Sequence, residues 1–145
     1  MEAFPDEHLQ RLQRSHGVAG FSVDRVEDTV PVARALQSGE LDAIELTLRT
    51  RAAIEAERAI HEAVPGIFLG VGTILSLEQA GGAKAAGANF GVAPGLNSRV
   101  LEAARKVELL FASGICRTTD MEARTSWAVA WSSSFQRRLP AGWPT

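Results

Sequence analysis

The sequence has few of the features that mark secreted, membrane-embedded or nucleic-acid-binding proteins. Cys116 is the only cysteine, so no disulfide can form within the chain, and a reducing cytoplasm is the expected location. No apolar run approaches the roughly 20 residues that cross a bilayer, and the polar segment from Met1 to Gln10 does not look like a signal peptide. With a formal net charge of -2 and no dense Lys/Arg stripe, the chain is expected to bind neither nucleic acid nor membranes.

Metal ligands and cofactor motifs are equally scarce. The three histidines have no acidic or cysteine partners at ligand spacing, so no metal site is predicted and they are assigned to the surface: His8, His16 and His61. Cys116 has apolar neighbours and is interpreted as a buried structural thiol rather than a nucleophile. No Gly-x-Gly-x-x-Gly motif follows the first apolar run, which gives little support to a dinucleotide-binding fold.

What the sequence does contain is a regular alternation of short apolar runs and amphipathic stretches. Such alternation with short connections predicts a parallel α/β fold, and on its own it fits a barrel or a doubly wound sheet. Gly70 and Gly72 are too few for a phosphate-binding loop and indicate close packing at a strand end. The predicted strands are 18–23, 43–48, 67–71, 88–93 and 108–112, and the predicted helices are 26–37, 52–63, 76–86 and 97–106.

The second predicted strand carries charged residues on one face. Side chains alternate along a strand, so Ile44, Leu46 and Leu48 are expected to face helices. Glu45, Thr47 and Arg49 would then point to the opposite face, with Glu45 and Arg49 roughly 13 Å apart along the strand. A carboxylate in a low-dielectric interior has a raised pKa, which suits proton transfer near neutral pH. The alternative is that Glu45 and Arg49 are solvated charges on an edge strand.

Four motifs occur in an order that resembles one enzyme family. They are IELTLRT (44–50), GVGTILSLEQA (70–80), GANFGVAPGLN (87–97) and SGICRTTDMEA (113–123). Together they resemble the 2-keto-3-deoxy-6-phosphogluconate (KDPG) and 4-hydroxy-2-oxoglutarate (KHG) aldolases from about Gly17 to Ala123. The resemblance implies an incomplete (β/α)8 TIM-type barrel of about five β/α units in residues 1–123, followed by an irregular tail in residues 124–145.

The resemblance also implies a chemistry and a set of site residues. These class I aldolases cleave KDPG to pyruvate and glyceraldehyde 3-phosphate, or 4-hydroxy-2-oxoglutarate to pyruvate and glyoxylate, through a Schiff base. They need no metal or organic cofactor and usually form homotrimers. Glu45 matches the residue that moves protons, Arg49 and Thr73 match residues that bind the carboxylate end of the 2-keto acid, and Pro94 shapes the pocket wall. From the residues alone, Thr73 could equally cap a helix and Pro94 could simply form a turn.

The chain departs from the family pattern where the chemistry is most demanding. A Schiff-base mechanism needs a desolvated lysine, but Lys84 and Lys106 are the only lysines and both fall on predicted outer helices. The late strands, whose loops usually bind phosphate in barrels, are missing as well. The chain as written is therefore predicted to be inactive. The alternatives are a non-catalytic truncated remnant or a small α/β domain that binds a keto acid.

The tail after Ala123 has a different composition from the rest of the chain. All three tryptophans lie there, and the alternation of strands and helices stops. One choice of synonymous codons for residues 133–145, with an A as the last base of the Ser132 codon, reads KFFPAEAAGGLAH from that base, and KFFPAE is the Schiff-base lysine motif of the family. We therefore interpret residues 124–145 as a frameshifted segment.

Overall fold

The computed structural model describes residues 6–15 and 17–114, and within them a single parallel sheet carries helices between its strands. Predictions for His16, Cys116 and the tail at 124–145 lie outside the described residues. The strands are β1 Ala19–Phe21, β2 Ala43–Thr47, β3 Phe68–Gly72, β4 Phe90–Ala93 and β5 Leu110–Ser113. The helices are α1 Asp6–Arg14, α2 Thr29–Ser38, α3 Ala53–Ala63, α4 Leu77–Ala86 and α5 Ser98–Lys106, and a 3-10 turn spans Val26–Asp28.

The five strands lie in the order β1-β2-β3-β4-β5, so every strand pairs with its neighbour in the sequence. All four pairings are parallel, which confirms the predicted α/β fold. The first and fifth strands therefore form the two edges of this sheet. In the register, Glu45 lies opposite Gly20 on β1 and Gly70 on β3, and Thr47 lies opposite Gly72.

One face of the sheet packs against the helices. Ile44 is fully buried in a cluster with Ala33 of α2 and Ile60 of α3. Leu46 is buried in a second cluster with Ala56 of α3. Because side chains alternate along β2, Glu45 and Thr47 point to the opposite face, as the sequence pattern predicted.

The opposite face is covered near the amino ends of the strands by α1, an element that the sequence analysis did not predict. Leu9 and Leu12 of α1 pack against a cluster that contains Phe68 and Phe90, the first residues of β3 and β4. The rings of Phe68 and Phe90 stack with centroids 5.0 Å apart. The His8 and Phe68 ring centroids lie 5.3 Å apart, so the partly exposed His8 contacts the sheet with one side of its ring.

Element boundaries differ from the predictions by at most three residues, and the differences have local causes. β2 ends at Thr47, so Arg49 lies in the turn after the strand rather than within it. Ser76 is the N-cap of α4, and it forms a capping box in which its hydroxyl accepts from the Gln79 backbone N–H. The alternative role of Thr73 as the cap of this helix was therefore wrong.

Candidate active site

A cleft of about 650 Å³ opens on the same face of the sheet as α1, over the part of it that α1 does not cover. Each of the five strands, or the residue directly after it, contributes to the lining. Carboxyl-terminal strand ends are where barrel enzymes place their active sites. The four residues singled out from the sequence, which lie on three different strands or the turns after them, all line this one cleft: Glu45, Arg49, Thr73 and Pro94.

The side chain of Glu45 crosses the floor of the cleft towards β3. A methyl group built on Gly72 would overlap the Glu45 carboxylate, whereas one built on Gly20 would lie 4.0 Å from its Oε2 atom. A methyl group on Gly70 would similarly overlap the Phe90 ring. Gly70 and Gly72 therefore provide space for side chains from neighbouring strands, which confirms their interpretation as sites of close packing.

Burial and a neighbouring cation set the electrostatics of Glu45. Removal of the half-buried carboxyl from water raises its pKa, and the positive charge of Arg49 offsets part of that rise. β2 is an interior strand of the sheet, so the alternative that Glu45 is a solvated charge on an edge strand was wrong. Arg49 itself is exposed at the mouth of the cleft. The two side chains thus line one site from different depths.

Thr73 lies at the cleft in an unfavourable backbone conformation that its neighbours impose. Its φ of 63° lies in the left-handed region, which a β-branched residue rarely adopts and which costs energy. The residues on both sides are fixed, because Gly72 accommodates Glu45 and Ile74 is fully buried with its N–H donating to the Val92 carbonyl at 3.1 Å. Strain of this kind clusters at functional sites, and nothing in the sequence pattern signalled it.

Pro94 is exposed and follows β4 directly, where it forms part of the cleft wall. The Gly114 N–H donates to the Ala93 carbonyl at 2.9 Å, and a methyl group on Gly114 would overlap the Pro94 carbonyl. The chain after β5 therefore packs tightly against Pro94. The position of Pro94 is compatible with both alternatives from the sequence, a residue that shapes the pocket wall and a residue that forms a turn.

The described residues place no amine in the cleft. Lys84 is exposed on α4 and donates to the Glu108 carbonyl at 2.8 Å, and Lys106 is exposed at the end of α5. Both lysines lie on helices, as predicted, and neither lines the cleft. Residues 6–15 and 17–114 contain no group of three metal-ligating side chains. In the same part of the chain, no helix has both the length and the apolar character needed to cross a membrane.

Comparisons with known sequences match this chain to aldolases. The family model described as KDPG and KHG aldolase matches residues 9–132. The 2-dehydro-3-deoxy-phosphogluconate aldolase of Treponema pallidum is 37% identical over 134 residues, which are 92% of this chain and 64% of the relative. The KHG/KDPG aldolase of Escherichia coli is 37% identical over 99 residues, 68% of this chain and 46% of the relative. The chain thus spans between about half and two thirds of the length of these relatives.

Solved structures show the same likeness. The KDPG aldolase of Zymomonas mobilis with 3-phosphoglycerate superposes with a TM-score of 0.72 at 30% identity, over 77% of this chain and 53% of that one. The KDPG aldolase of Legionella pneumophila, with pyruvate captured as a covalent carbinolamine intermediate, gives a TM-score of 0.72 at 29% identity, over 75% and 53%. These neighbours are TIM barrels, so the five-stranded parallel sheet is consistent with an incomplete barrel, as the sequence predicted.

Proposed function

Because the chain belongs to the KDPG and KHG aldolase family, we propose that its cleft is the keto-acid-binding part of a class I aldolase site. The proposed substrates are KDPG, cleaved to pyruvate and glyceraldehyde 3-phosphate, and 4-hydroxy-2-oxoglutarate, cleaved to pyruvate and glyoxylate. The observation that supports this most is the convergence of Glu45, Arg49, Thr73 and Pro94 on one cleft at the carboxyl ends of the strands.

Each residue has a proposed role that follows from its chemistry and depth. Arg49, a permanent cation at the mouth, is proposed to attract the carboxylate of the 2-keto acid, and the hydroxyl of Thr73, which lines the same cleft, is proposed to donate to that group. Glu45 lies deeper, and because burial raises its pKa it binds a proton more readily than an exposed glutamate does, which suits the proton transfer proposed for it. Pro94 limits the width of the cleft and so excludes bulkier ligands.

The carbon–carbon bond cleavage itself requires an amine. In a Schiff-base aldolase, a lysine amine adds to the ketone and water leaves as an iminium forms. The C4 hydroxyl then loses its proton to a base, the C3–C4 bond breaks to release the aldehyde, and the iminium accepts the electron pair as an enamine. The enamine carbon next takes a proton, the step proposed for Glu45, and water hydrolyses the iminium to release pyruvate and the free amine. Because Lys84 and Lys106 do not line the cleft, we propose that the chain as written binds a 2-keto acid but does not cleave KDPG at a useful rate.

The missing amine is proposed to reside in the alternative reading frame of the tail. Read from the last base of the Ser132 codon, that frame encodes Lys-Phe-Phe-Pro-Ala-Glu under the codon choice given above. A protein that continues in this frame is proposed to be the complete cytoplasmic aldolase and to form the homotrimer expected of the full-length family. General acid–base help from Glu45 alone, typically about 10² to 10⁴-fold, does not replace the covalent route.

Borohydride trapping tests the proposal. The chain as written and a version with the restored frame are each incubated with pyruvate and borohydride, and their intact masses are measured by mass spectrometry. Cleavage of KDPG by both proteins is measured in parallel. We expect an adduct only on the recovered lysine of the restored protein, with turnover that is lost in Glu45→Gln. Lys84→Arg is the matched control and should keep both the adduct and the turnover.

Two outcomes would contradict the proposal. A stable pyruvate adduct on Lys84 or Lys106 of the chain as written, with turnover that depends on Glu45, would show that the lost lysine is not required. A restored protein that folds yet forms no adduct and cleaves no KDPG would refute the aldolase function itself.

A further inference from the structure

The cleft contains a polar group to which no role has been assigned. The Thr47 side chain lines the cleft, and its Oγ1 atom is buried with no hydrogen-bond partner. A threonine hydroxyl can donate one hydrogen bond and accept two. Buried polar atoms without partners are rare in folded proteins and cost stability, so this hydroxyl requires an explanation.

Two other threonines in this fold have a backbone carbonyl near their hydroxyl, as expected of a threonine with a structural role. The Thr50 hydroxyl donates to the Val23 carbonyl at 2.6 Å, and the fully buried Thr29 has its hydroxyl 3.5 Å from the Arg25 carbonyl. Thr47 lies on an interior strand opposite Gly72, which has no side chain to offer one. Its hydroxyl is therefore enclosed at the edge of the cleft without a hydrogen-bond partner from the protein.

Thr47 lies between the two charged residues of the site, Glu45 and Arg49, in the sequence. It lies on the same face of β2 as Glu45, two residues closer to the mouth, and two residues below Arg49. At about 3.3 Å per strand residue, Thr47 is roughly 7 Å from Glu45 along β2, and Arg49 follows it in the turn after the strand. A short 2-keto acid whose carboxylate approaches Arg49 would therefore carry its keto oxygen towards Thr47 before its reacting carbon approaches Glu45.

We propose that Thr47 is an additional binding residue of this cleft and that its hydroxyl recognises the keto oxygen of a 2-keto acid. The inference rests on the proposed function and specifies how the ligand is oriented. A ketone oxygen only accepts hydrogen bonds, whereas the hydroxyl that replaces it after an amine adds can also donate. A threonine hydroxyl serves both states without a change of charge, which neither an arginine nor an ionised carboxylate can do.

The test compares two ligands and matched variants of the full chain. Dissociation constants for pyruvate and for propionate, which lacks the keto oxygen, are measured by NMR titration, and the urea midpoint of unfolding is measured without ligand. In Thr47→Val we expect pyruvate affinity to fall about tenfold, as for the loss of one buried hydrogen bond. Propionate affinity should stay the same, and the urea midpoint should stay the same or rise. Thr47→Ser should retain pyruvate affinity within about threefold.

Thr50→Val is the matched control, because its hydroxyl does have a protein partner. It should lower the urea midpoint and leave the ratio of pyruvate to propionate affinity unchanged. A Thr47→Val variant that behaves in this same way would show that Thr47 is structural and would overturn the inference.

A further variant, Arg49→Met, separates this inference from the proposed function. If the wild-type chain binds pyruvate and Arg49→Met weakens that binding, while Thr47→Val binds as tightly as wild type, only the role of Thr47 is refuted. If the folded wild-type chain does not bind pyruvate at all, the proposed function fails and the Thr47 inference fails with it.

Discussion

Replacement of Gly72 by alanine should expel the Glu45 carboxylate from its place on the cleft floor. Gly72 is fully enclosed at the end of β3, and an added methyl group would overlap the carboxylate and approach the Glu45 side chain more closely than atoms normally allow. The overlapping atoms belong to the far end of a flexible side chain. We therefore expect Glu45 to swing towards the open cleft and the backbone of β3 to stay in place.

The cost in stability should be small, and the effect on the pKa should be clear. Overpacking of an interior typically costs 1–3 kcal/mol, and the loss of glycine freedom in the unfolded chain returns about 0.4–1 kcal/mol. Because Glu45 can move into open space, we expect a net destabilisation of about 1 kcal/mol or less. The displaced carboxyl regains water, so its raised pKa should fall towards its ordinary value of 4.5.

The sign of the pH dependence follows from the raised pKa. An acid with a higher pKa in the folded state than in the unfolded state binds more protons when folded. The free energy of unfolding therefore decreases as the pH rises above 4.5 towards the folded pKa. Gly72→Ala should flatten this decrease.

The assay is an NMR titration of the Glu45 side-chain carboxyl carbon, supported by urea unfolding at acidic and neutral pH. Gly20→Ala is the matched control, because Gly20 flanks Glu45 on β1 and its added methyl would lie at an ordinary contact distance of 4.0 Å from Oε2. It should leave the pKa of Glu45 raised. If Gly72→Ala leaves the pKa as high as in the wild type, or if Gly20→Ala lowers it equally, the account of Gly72 as the space for the carboxylate is refuted.

Three further predictions concern other parts of the chain. Glu57 on α3 is fully buried, both of its carboxylate oxygens lack partners, and burial raises its pKa to about 8. The free energy of unfolding should therefore fall by up to about 1.4 kcal/mol per pH unit between pH 4.5 and about 8. Urea unfolding across this range should show that Glu57→Gln removes most of this dependence of the unfolding free energy on pH. Ser76→Ala breaks the capping box of α4 and should cost about 1 kcal/mol in thermal unfolding, whereas an unchanged midpoint would show that the cap contributes nothing. DNA sequencing of codons 132–138 should yield Lys-Phe-Phe-Pro-Ala-Glu in the shifted frame, and codons that cannot encode this string would end the frameshift interpretation.

The order of strands and helices and the two faces of β2 could be predicted because they depend on local periodicity. Apolar and polar residues alternate through Ile44, Glu45, Leu46 and Thr47, and a strand translates that alternation directly into two faces. The bounds were less predictable, since β2 ends at Thr47 and Arg49 lies in the following turn. A strand end depends on where the hydrogen-bonded register stops, which the alternation does not encode.

The remaining features depend on contacts between distant segments. The position of α1 depends on Leu9 and Leu12 meeting Phe68, far away in the sequence. Glu57 has the sequence character of a solvent-facing helix residue, but α3 packs against both α2 and α4 and the carboxyl is enclosed. The left-handed backbone of Thr73 arises between two fixed neighbours. None of these three features has a periodic signature in the sequence.

The sequential strand order determines how the fold can assemble during synthesis. Each strand pairs with the one made just before it, so every new β-α unit meets a neighbour that has already been synthesised. The helix α1 is the exception, because Leu9 and Leu12 pack against a cluster formed by residues of β2, β3 and β4. As the chain leaves the ribosome, α1 is made first among the described elements, yet the cluster on which it docks is complete only after β4 has emerged.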